Sequence, residues 1–551
     1  MKYLPALVLF FFLSSCNRCS TDKPKVDLVE GPEKIQEHVT DQIANQLENK
    51  GSNADAGIRI NNYALNASKL IKRVYLLHRK ESFWYTKGKL NPQGDSLLTQ
   101  LHDARDYGLR PKTYLVPQID SLLQTAKDPK SGKLNAVNYA QADILMTDAF
   151  FTFATHVCKG RLRSDTILPE FRMDEIHMSL DSLFEKTRTK GTFRTCFESL
   201  EPHHEQYQLL KQALKTYRNR WEKHPWDSLP SMEKDTAAFY KSLHHMLVQT
   251  HDYDSLATGN DSVKLSKAIK AFQKRNYLEQ DGKLGKNTLP VIRMTTEQRI
   301  RQIEMNMERW RLESSKLPKT YVMVNIPQFE MKVVDDDTLF MESKVIVGLP
   351  EKPTPILQSQ IQYIMLYPYW NVPFSIASKE ILPVLKRDTS YLRKKNFDVV
   401  DWNGYVVDPT NINWKRFSVT YLPYRFRQRE GEDNSLGIMK FNFNNKFGVY
   451  MHDTNAKKYF KRDVRALSHG CMRIENYMQL AKYLIRTDSV KYPYDSLLTD
   501  ILREKQKQVN LKKPVPVFTR YFTAVVDEEK GLELFMDIYR KDEQMEQVLY
   551  K

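Results

Sequence analysis

The sequence predicts an α+β protein of several domains. Its first half carries apolar residues at helical spacing, the pattern switches to strict alternation near residue 319, and 551 residues exceed one ordinary core. Usual domain sizes divide such a chain into about three to four folding units. Hydrophobic residues at 41% and aromatics at 11% supply packed cores and exclude a largely disordered chain. A formal net charge of +17 favours anionic partners, a class that holds nucleic acid, membrane surfaces and acidic wall polymers alike.

Taken in order, "MKYLPALVLFFFLSSC" has one Lys, an apolar run short of the ~20 residues a membrane-spanning helix needs, and small residues before a cysteine. It reads as a secretory signal over residues 1–16. Leu13, Ser14, Ser15 and Cys16 resemble the bacterial lipobox, which implies lipidation at Cys16, a lipid anchor in a membrane and a place in the bacterial envelope, facing the periplasm. A plain signal or a short anchor is the alternative. Export removes nucleic acid from the partners, and no later stretch reads as a membrane span.

Residues 17–60 are polar with little apolar periodicity and are expected to be a tether. Residues 61–235, with "ASKLIKRVYLL" and "QADILMTDAFFTFATHV", form an α-helical domain. In residues 236–296, Leu265, Ala268, Ile269 and Phe272 line one helix face, Asp281-Gly282 marks a turn, and a short helix starts near Asn287 or Thr288, which together make a small three-helix-type module. A linker helix is expected over 297–318. Residues 319–505 are β-rich and sandwich-like: "YVMVNIP" alternates, "FEMKVVDDDTLFMESKVIVG" turns back at Asp335 to Asp337, and residues 374–425 interrupt the strands with mixed sequence suited to a lid. The tail, 506–551, shows no readable motif beyond a final helix or strand packing back.

Of five cysteines, Cys16 and Cys19 lie near the start, Cys158 and Cys196 lie in the helical region with their pairing open, and Cys471 is the only one after residue 196. An exported chain keeps a free thiol at a cost unless it uses it. Cys471 lies in "LSHGCMRI", with His469 two residues before it and His452 on the strand-like "GVYMHDT". A thiol becomes a nucleophile when an imidazole takes its proton, and the attacked carbonyl needs N–H donors. Gly470 permits a sharp turn, and the helical pattern "ENYMQLAKYLI" is expected to put Cys471 near a helix N-terminus. Spacing alone leaves open whether His469 or His452 is the base. Zinc ligation by these residues is a weaker alternative, because paired short ligand spacings are missing.

"HDTNAKKYFKRDVRALSHGCMR" resembles the signature of the L,D-transpeptidase catalytic domain, also called YkuD-like. The resemblance implies that Cys471 is the nucleophile and His452 the general base and acid. It implies further that the Asp453 backbone carbonyl is the third member, that Gly470 and Cys471 offer oxyanion N–H groups, and that Ser468 and His469 shape the turn. Arg473 would meet a substrate carboxylate and Tyr450 would add a hydroxyl near the oxyanion. "AFQKRNYL", "DGKLG" and the following Thr resemble a peptidoglycan-binding domain. "YGLRPKTY", "ADILMTDAFF" and "HHEQYQLLKQALKTYR" resemble the scaffold domain of the large YcbB-type branch. The implied function is 3→3 cross-linking of peptidoglycan through a Cys471 thioester during cell wall biogenesis, with donor tetrapeptide stems and acceptor amines as partners and no cofactor or metal. A cysteine L,D-carboxypeptidase or amidase, or a non-catalytic wall-binding lipoprotein, are the other readings.

Overall fold

The computed structural model describes residues 26–48, 57–162, 179–223, 225, 229–254, 261–313, 316–488 and 490–550; the expected signal and Cys16 lie outside them. The described residues fall into two compact units. One is drawn from Met1–Ala104, Arg110–Ala154 and Met178–Ser199, and the other from Arg105–Leu109, Thr155–His177 and Leu200–Lys551. The α+β multidomain class is borne out. Cys158, Cys196 and Cys471 are free thiols.

The first unit holds α1 Ile35–Leu47, α2 Ser68–Leu77, α3 Pro92–His102, α4 Val116–Gln124, the larger part of α5 Ala136–Lys159, α6 Leu180–Lys190 and α7 Phe193–Leu200. Three two-residue ladders accompany them: β1 Leu28–Val29 with β6 Leu134–Asn135, β2 Arg59–Ile60 with β3 Tyr63–Ala64, and β4 Tyr85–Thr86 with β5 Lys89–Leu90. On α5 the buried Asp143 carboxylate accepts from the Tyr75 and Ser82 hydroxyls and from the Phe83 and Trp84 backbone N–H groups, so its burial is matched by four donors. The 17–60 tether needs correcting. Residues 28–29 pair with β6, and α1 buries Ile35, Val39 and Ile43 at i, i+4 and i+8, a stripe one residue wide that the polar composition hides.

The second unit begins with α8 Glu205–Trp221 and continues through α9 Thr236–Gln249, α10 Asp261–Arg275, α11 Thr288–Ile292 and α12 Thr296–Leu312. In the small module the motif residues form one knot. Gln273 donates to Asp281 Oδ1, the Lys283 carbonyl and Thr288 Oγ1, and accepts from Gly282 N–H. Helix α12 is capped by a Thr295/Gln298 box and is not an exposed linker, because Ile303, Met307 and Trp310 pack on Tyr207 and Leu210. Arg299, Glu304, Glu308, Arg309 and Arg311 of this helix are buried, and Arg309 pairs with Asp542 far along the chain, which helix periodicity cannot reveal.

Nine strands follow: β7 Tyr321–Asn325, β8 Glu330–Asp335, β9 Thr338–Gly348, β10 Leu357–Leu366, β15 Met439–Phe443, β16 Met451–His452, β17 Ala466–Ser468, β18 Met472–Ile474 and β19 Lys507–Arg520. They are ordered β17-β9-β18-β16-β15-β10-β19-β7-β8, and β8 pairs back onto β9, so the sheet closes on itself. The tail is corrected here. Strand β19 runs between β10 and β7, so the domain cannot end at 505. After β19 come the hairpin β20 Ala524–Asp527 with β21 Gly531–Leu534 and a last helix, Lys541–Leu549. Between β10 and β15 the insertion builds its own sheet, ordered β11 Trp370–Asn371, β14 Arg425–Gln428, β12 Phe397–Val400 and β13 Val406–Val407, around Leu382, Leu392, Val399, Trp414 and Phe426.

Candidate active site

Strands β16 and β18 run parallel, with Met451 opposite Met472 and His452 opposite Arg473. Because strand side chains alternate, the two methionines point together into the core, both fully buried. Tyr450, His452, Cys471 and Arg473 therefore share the other face. The Met472 N–H donates to the Tyr450 carbonyl at 3.0 Å, which carries the register back to the Tyr450–Cys471 pair. On the far side of β16, Lys440 of β15 lies opposite His452 and joins the same face. Its ammonium sits 3.8 Å from the centre of the Tyr450 ring.

The imidazole of His452 is buried, and its Nδ1 bonds the carbonyl oxygen of Asp453. A carbonyl only accepts, so this bond puts the proton on Nδ1 and leaves Nε2 as the basic atom. The Asp453 carboxylate is turned elsewhere. Its Oδ2 accepts from the Ile438 N–H at 3.1 Å and fills the space beside Gly437, where an added Cβ would lie 2.2 Å from it. Burial, then Arg473 and Lys440, push the His452 ring down to about 3, against the carbonyls of Asp453 and Leu436. Burial also raises the Cys471 thiol above its ordinary range, opposed by hydrogen bonding from Tyr450 and by the charges of Lys440 and Arg473. At neutral pH the resting site thus holds a neutral imidazole and a protonated thiol.

The turn carrying Cys471 is held by three hydrogen bonds, two with Ser468 and one from Thr354. Ser468 Oγ donates to the Cys471 carbonyl at 2.5 Å and accepts from the Gly470 N–H at 3.1 Å, so one expected oxyanion donor is already engaged at rest. Gly470 has φ +115, in the range that favours glycine. Its carbonyl accepts from Thr354 Oγ1 at 2.8 Å, and Thr354 Oγ1 accepts from the Gly348 N–H at 2.9 Å. The expected helix N-terminus is not there: strand β18 intervenes and the next helix is Tyr477–Ile485, so positive potential at the sulfur comes from Lys440 and Arg473 instead.

Family models match the chain in three places: "Scaffold domain" over residues 69–214, "Putative peptidoglycan binding domain" over 240–292 and "L,D-transpeptidase catalytic domain" over 319–491. The chain has the domain set of the scaffold-bearing, YcbB-type L,D-transpeptidases. A curated "Putative L,D-transpeptidase" from Haemophilus influenzae is 33% identical over 246 residues. That match covers 44% of this chain and 48% of the relative, so the chain spans about half the length of the curated protein it matches. A solved structure titled "Structure of the Ldtfm-avibactam carbamoyl enzyme" aligns over 49% of this chain and 84% of that chain at 10% identity, with a TM-score of 0.18, and carries no weight.

Several residues of this L,D-transpeptidase domain leave no signal in the sequence. Lys440 shows only as one polar position in an alternating strand, and Thr354 only as a loop residue. Tyr539, in the motif-free tail, donates to the Gly348 carbonyl at 2.6 Å and accepts from the Thr354 N–H at 3.2 Å, so the tail braces the loop that braces Gly470. Glu380 in the lid insertion bonds His469 Nε2 at 2.7 Å and Lys352 Nζ at 2.9 Å. His469 thus faces the lid, while His452 stands beside the Tyr450–Cys471 pair.

Proposed function

We propose that this chain is a peptidoglycan L,D-transpeptidase that forms 3→3 cross-links through a thioester on Cys471, anchored to a membrane of the bacterial envelope by lipid at Cys16. The observation that carries the proposal is the shared face of β16 and β18, which holds a buried neutral imidazole, a thiol and a cation side by side. His452 Nε2 takes the thiol proton as sulfur attacks the carbonyl of the third, diamino residue of a donor tetrapeptide. The tetrahedral adduct then collapses, the bond to the terminal D-alanine breaks, and its amine leaves with the proton from His452. An acceptor amine attacks the thioester, gives its proton to Nε2, and the sulfur leaves to be reprotonated. Starting from two neutral groups, the pair avoids a standing charge in a desolvated site. Tyr450, with its hydroxyl at the sulfur, is suited to the developing oxyanion. Arg473 Nε is buried and without a hydrogen-bond partner among the described residues, a donor suited to a substrate carboxylate.

The test is incubation of the purified protein with disaccharide tetrapeptide and mass spectrometry of the products, with Cys471→Ala as control. A dimer lacking one D-alanine, formed only by the wild type, is expected. Tripeptide monomer alone would mean hydrolysis, and identical products from both proteins would remove Cys471 from the reaction.

A further inference from the structure

The second unit contains a cavity of about 780 Å³ between the end of α8, the end of α10 and the β20–β21 hairpin, and none of the active-site residues lines it. Its chemistry is mixed in a particular way. Tyr217, Trp221 and Tyr277 supply aromatic surface; Arg220, Lys274 and Lys530 supply cations; and Glu533 is the acid. Arg220 lies over the Trp221 ring at 4.7 Å, and neither Arg220 nor Lys274 has a carboxylate partner among the described residues. Tyr277 holds a left-handed backbone at φ 55, costly for a bulky residue, and its ring packs 4.8 Å from Phe535 at the cavity wall.

Glu533 is the least expected member. It is 3% exposed, and its Oε1 has no hydrogen-bond partner among the described residues; Lys530 Nζ is 3.7 Å away, beyond hydrogen-bond length. A buried carboxyl oxygen that has a cation nearby but no hydrogen bond is unfavourable, and a ligand group on this cavity wall would meet it. Burial raises this carboxyl to about 7, so it can donate as well as accept.

We propose that this cleft is a glycan-binding site, separate from the Cys471 centre, that takes N-acetylated sugar rings whose peptide substituents bear carboxylates. Aromatic faces cover the apolar C–H face of a sugar, a buried carboxyl meets a hydroxyl or an acetamido N–H, and the cations at the cavity wall meet the peptide carboxylates. A polyphosphate chain would have to pass a carboxylate, and an apolar peptide would leave Glu533 unmet. Lys274, Arg275, Asn276 and Tyr277 belong to residues 240–292, which match the peptidoglycan-binding domain, whereas Trp221 and Glu533 come from outside it. The inference rests on peptidoglycan being the substrate, and gives the enzyme a hold on the strand whose stems it joins.

Calorimetric titration of the full chain with N-acetylglucosamine tetramer tests it. This probe has no stem peptide, so it cannot occupy a peptide site at Cys471. Binding is expected in the wild type and in Cys471→Ala alike, and at least tenfold weaker in Trp221→Ala and in Glu533→Ala. A disaccharide tetrapeptide should bind Cys471→Ala more tightly than the bare disaccharide, with that gain reduced in Lys274→Glu, which reverses one cation of the wall and leaves its aromatic faces and Glu533 in place. Undetectable tetramer binding, equal binding by Trp221→Ala and Glu533→Ala, or a gain unchanged by Lys274→Glu would overturn the proposal. Cross-linked product from a protein that fails these titrations would sink the cleft alone. Tetramer binding without Cys471-dependent product would sink the catalytic reading alone.

Discussion

The closed nine-stranded sheet and the four-stranded sheet of the lid sit in one unit but obey different rules. The first is framed by β9, β10 and β19, of 11, 10 and 14 residues, over one large core, returns on itself through β8 and β9, and is tied to the end of α12 by the buried ion pair of Arg520 with Glu313. The second has strands of two to four residues, a separate small core, and Trp402, Tyr405 and Tyr421 at 68%, 71% and 61% exposure. The lid meets the motif through Glu380, His469 and Lys352, side chains that water can reach. On the proposed function, the nucleophile and base would need fixed geometry, which buried contacts supply, and a lid would need two positions close in energy, which contacts that solvent can replace allow.

The contrast breaks most visibly if a buried tie is cut. Arg520→Met leaves the Glu313 carboxylate, 1% exposed at its side chain, without its guanidinium, and should destabilise by about 3–5 kcal/mol. Urea unfolding would measure it, and an unchanged midpoint would mean that the sheet does not depend on the pair. Gly348→Ala comes next. The new Cβ would lie 2.1 Å from the Lys352 carbonyl and 2.7 Å from the Thr354 N, both backbone atoms with little room to yield. A loss of about 1–3 kcal/mol is expected, with slower acylation of Cys471 because Thr354 can no longer hold Gly470. Tyr539→Phe removes only the hydroxyl between Gly348 and Thr354 and should lose about 1 kcal/mol, visible as a lower Tm.

These variants also mark what the sequence made legible. The motif could be read because Ser468 to Arg473 are contiguous and their chemistry is local, and His452 could be proposed as the base once the resemblance to the family signature paired it with Cys471. Alternation in "GIMKFNF" and "GVYMHDT" gave the strands, though not that Lys440 stands across from His452, since register is set by the whole sheet. Thr354 reaches Gly470 across 116 residues, and Glu380 reaches His469 across 89. No periodicity encodes such pairs. Strand β19 is hidden in the sequence because Pro514 and Pro516 are disfavoured inside a sheet and Lys513 interrupts the apolar alternation of Val509, Leu511, Val515 and Val517, while its neighbours β10 and β7 flank it with hydrogen-bonding partners.

The smallest change probes the lid. Glu380 is 45% exposed at its side chain, and although burial raises its carboxyl, hydrogen bonds from Lys352 and His469 hold it below the ordinary glutamate value. At that exposure the contact is worth about 0–1 kcal/mol, so Glu380→Gln should leave Tm nearly unchanged. Its effect should appear in access instead, as faster reaction of Cys471 with a bulky maleimide when the lid is held less firmly. A carboxyl depressed on folding stabilises its contact above the unfolded value and loses that stabilisation as pH falls through the folded one. The ratio of variant to wild-type labelling rates should therefore exceed one at pH 7 and fall toward one only as the pH drops below the ordinary glutamate range, where the wild type loses its own carboxylate. Taking the ratio at each pH cancels the thiol's own ionisation, which both proteins share. A ratio near one at pH 7, or one that rises on acidification, would mean that the lid is not held to the motif through Glu380.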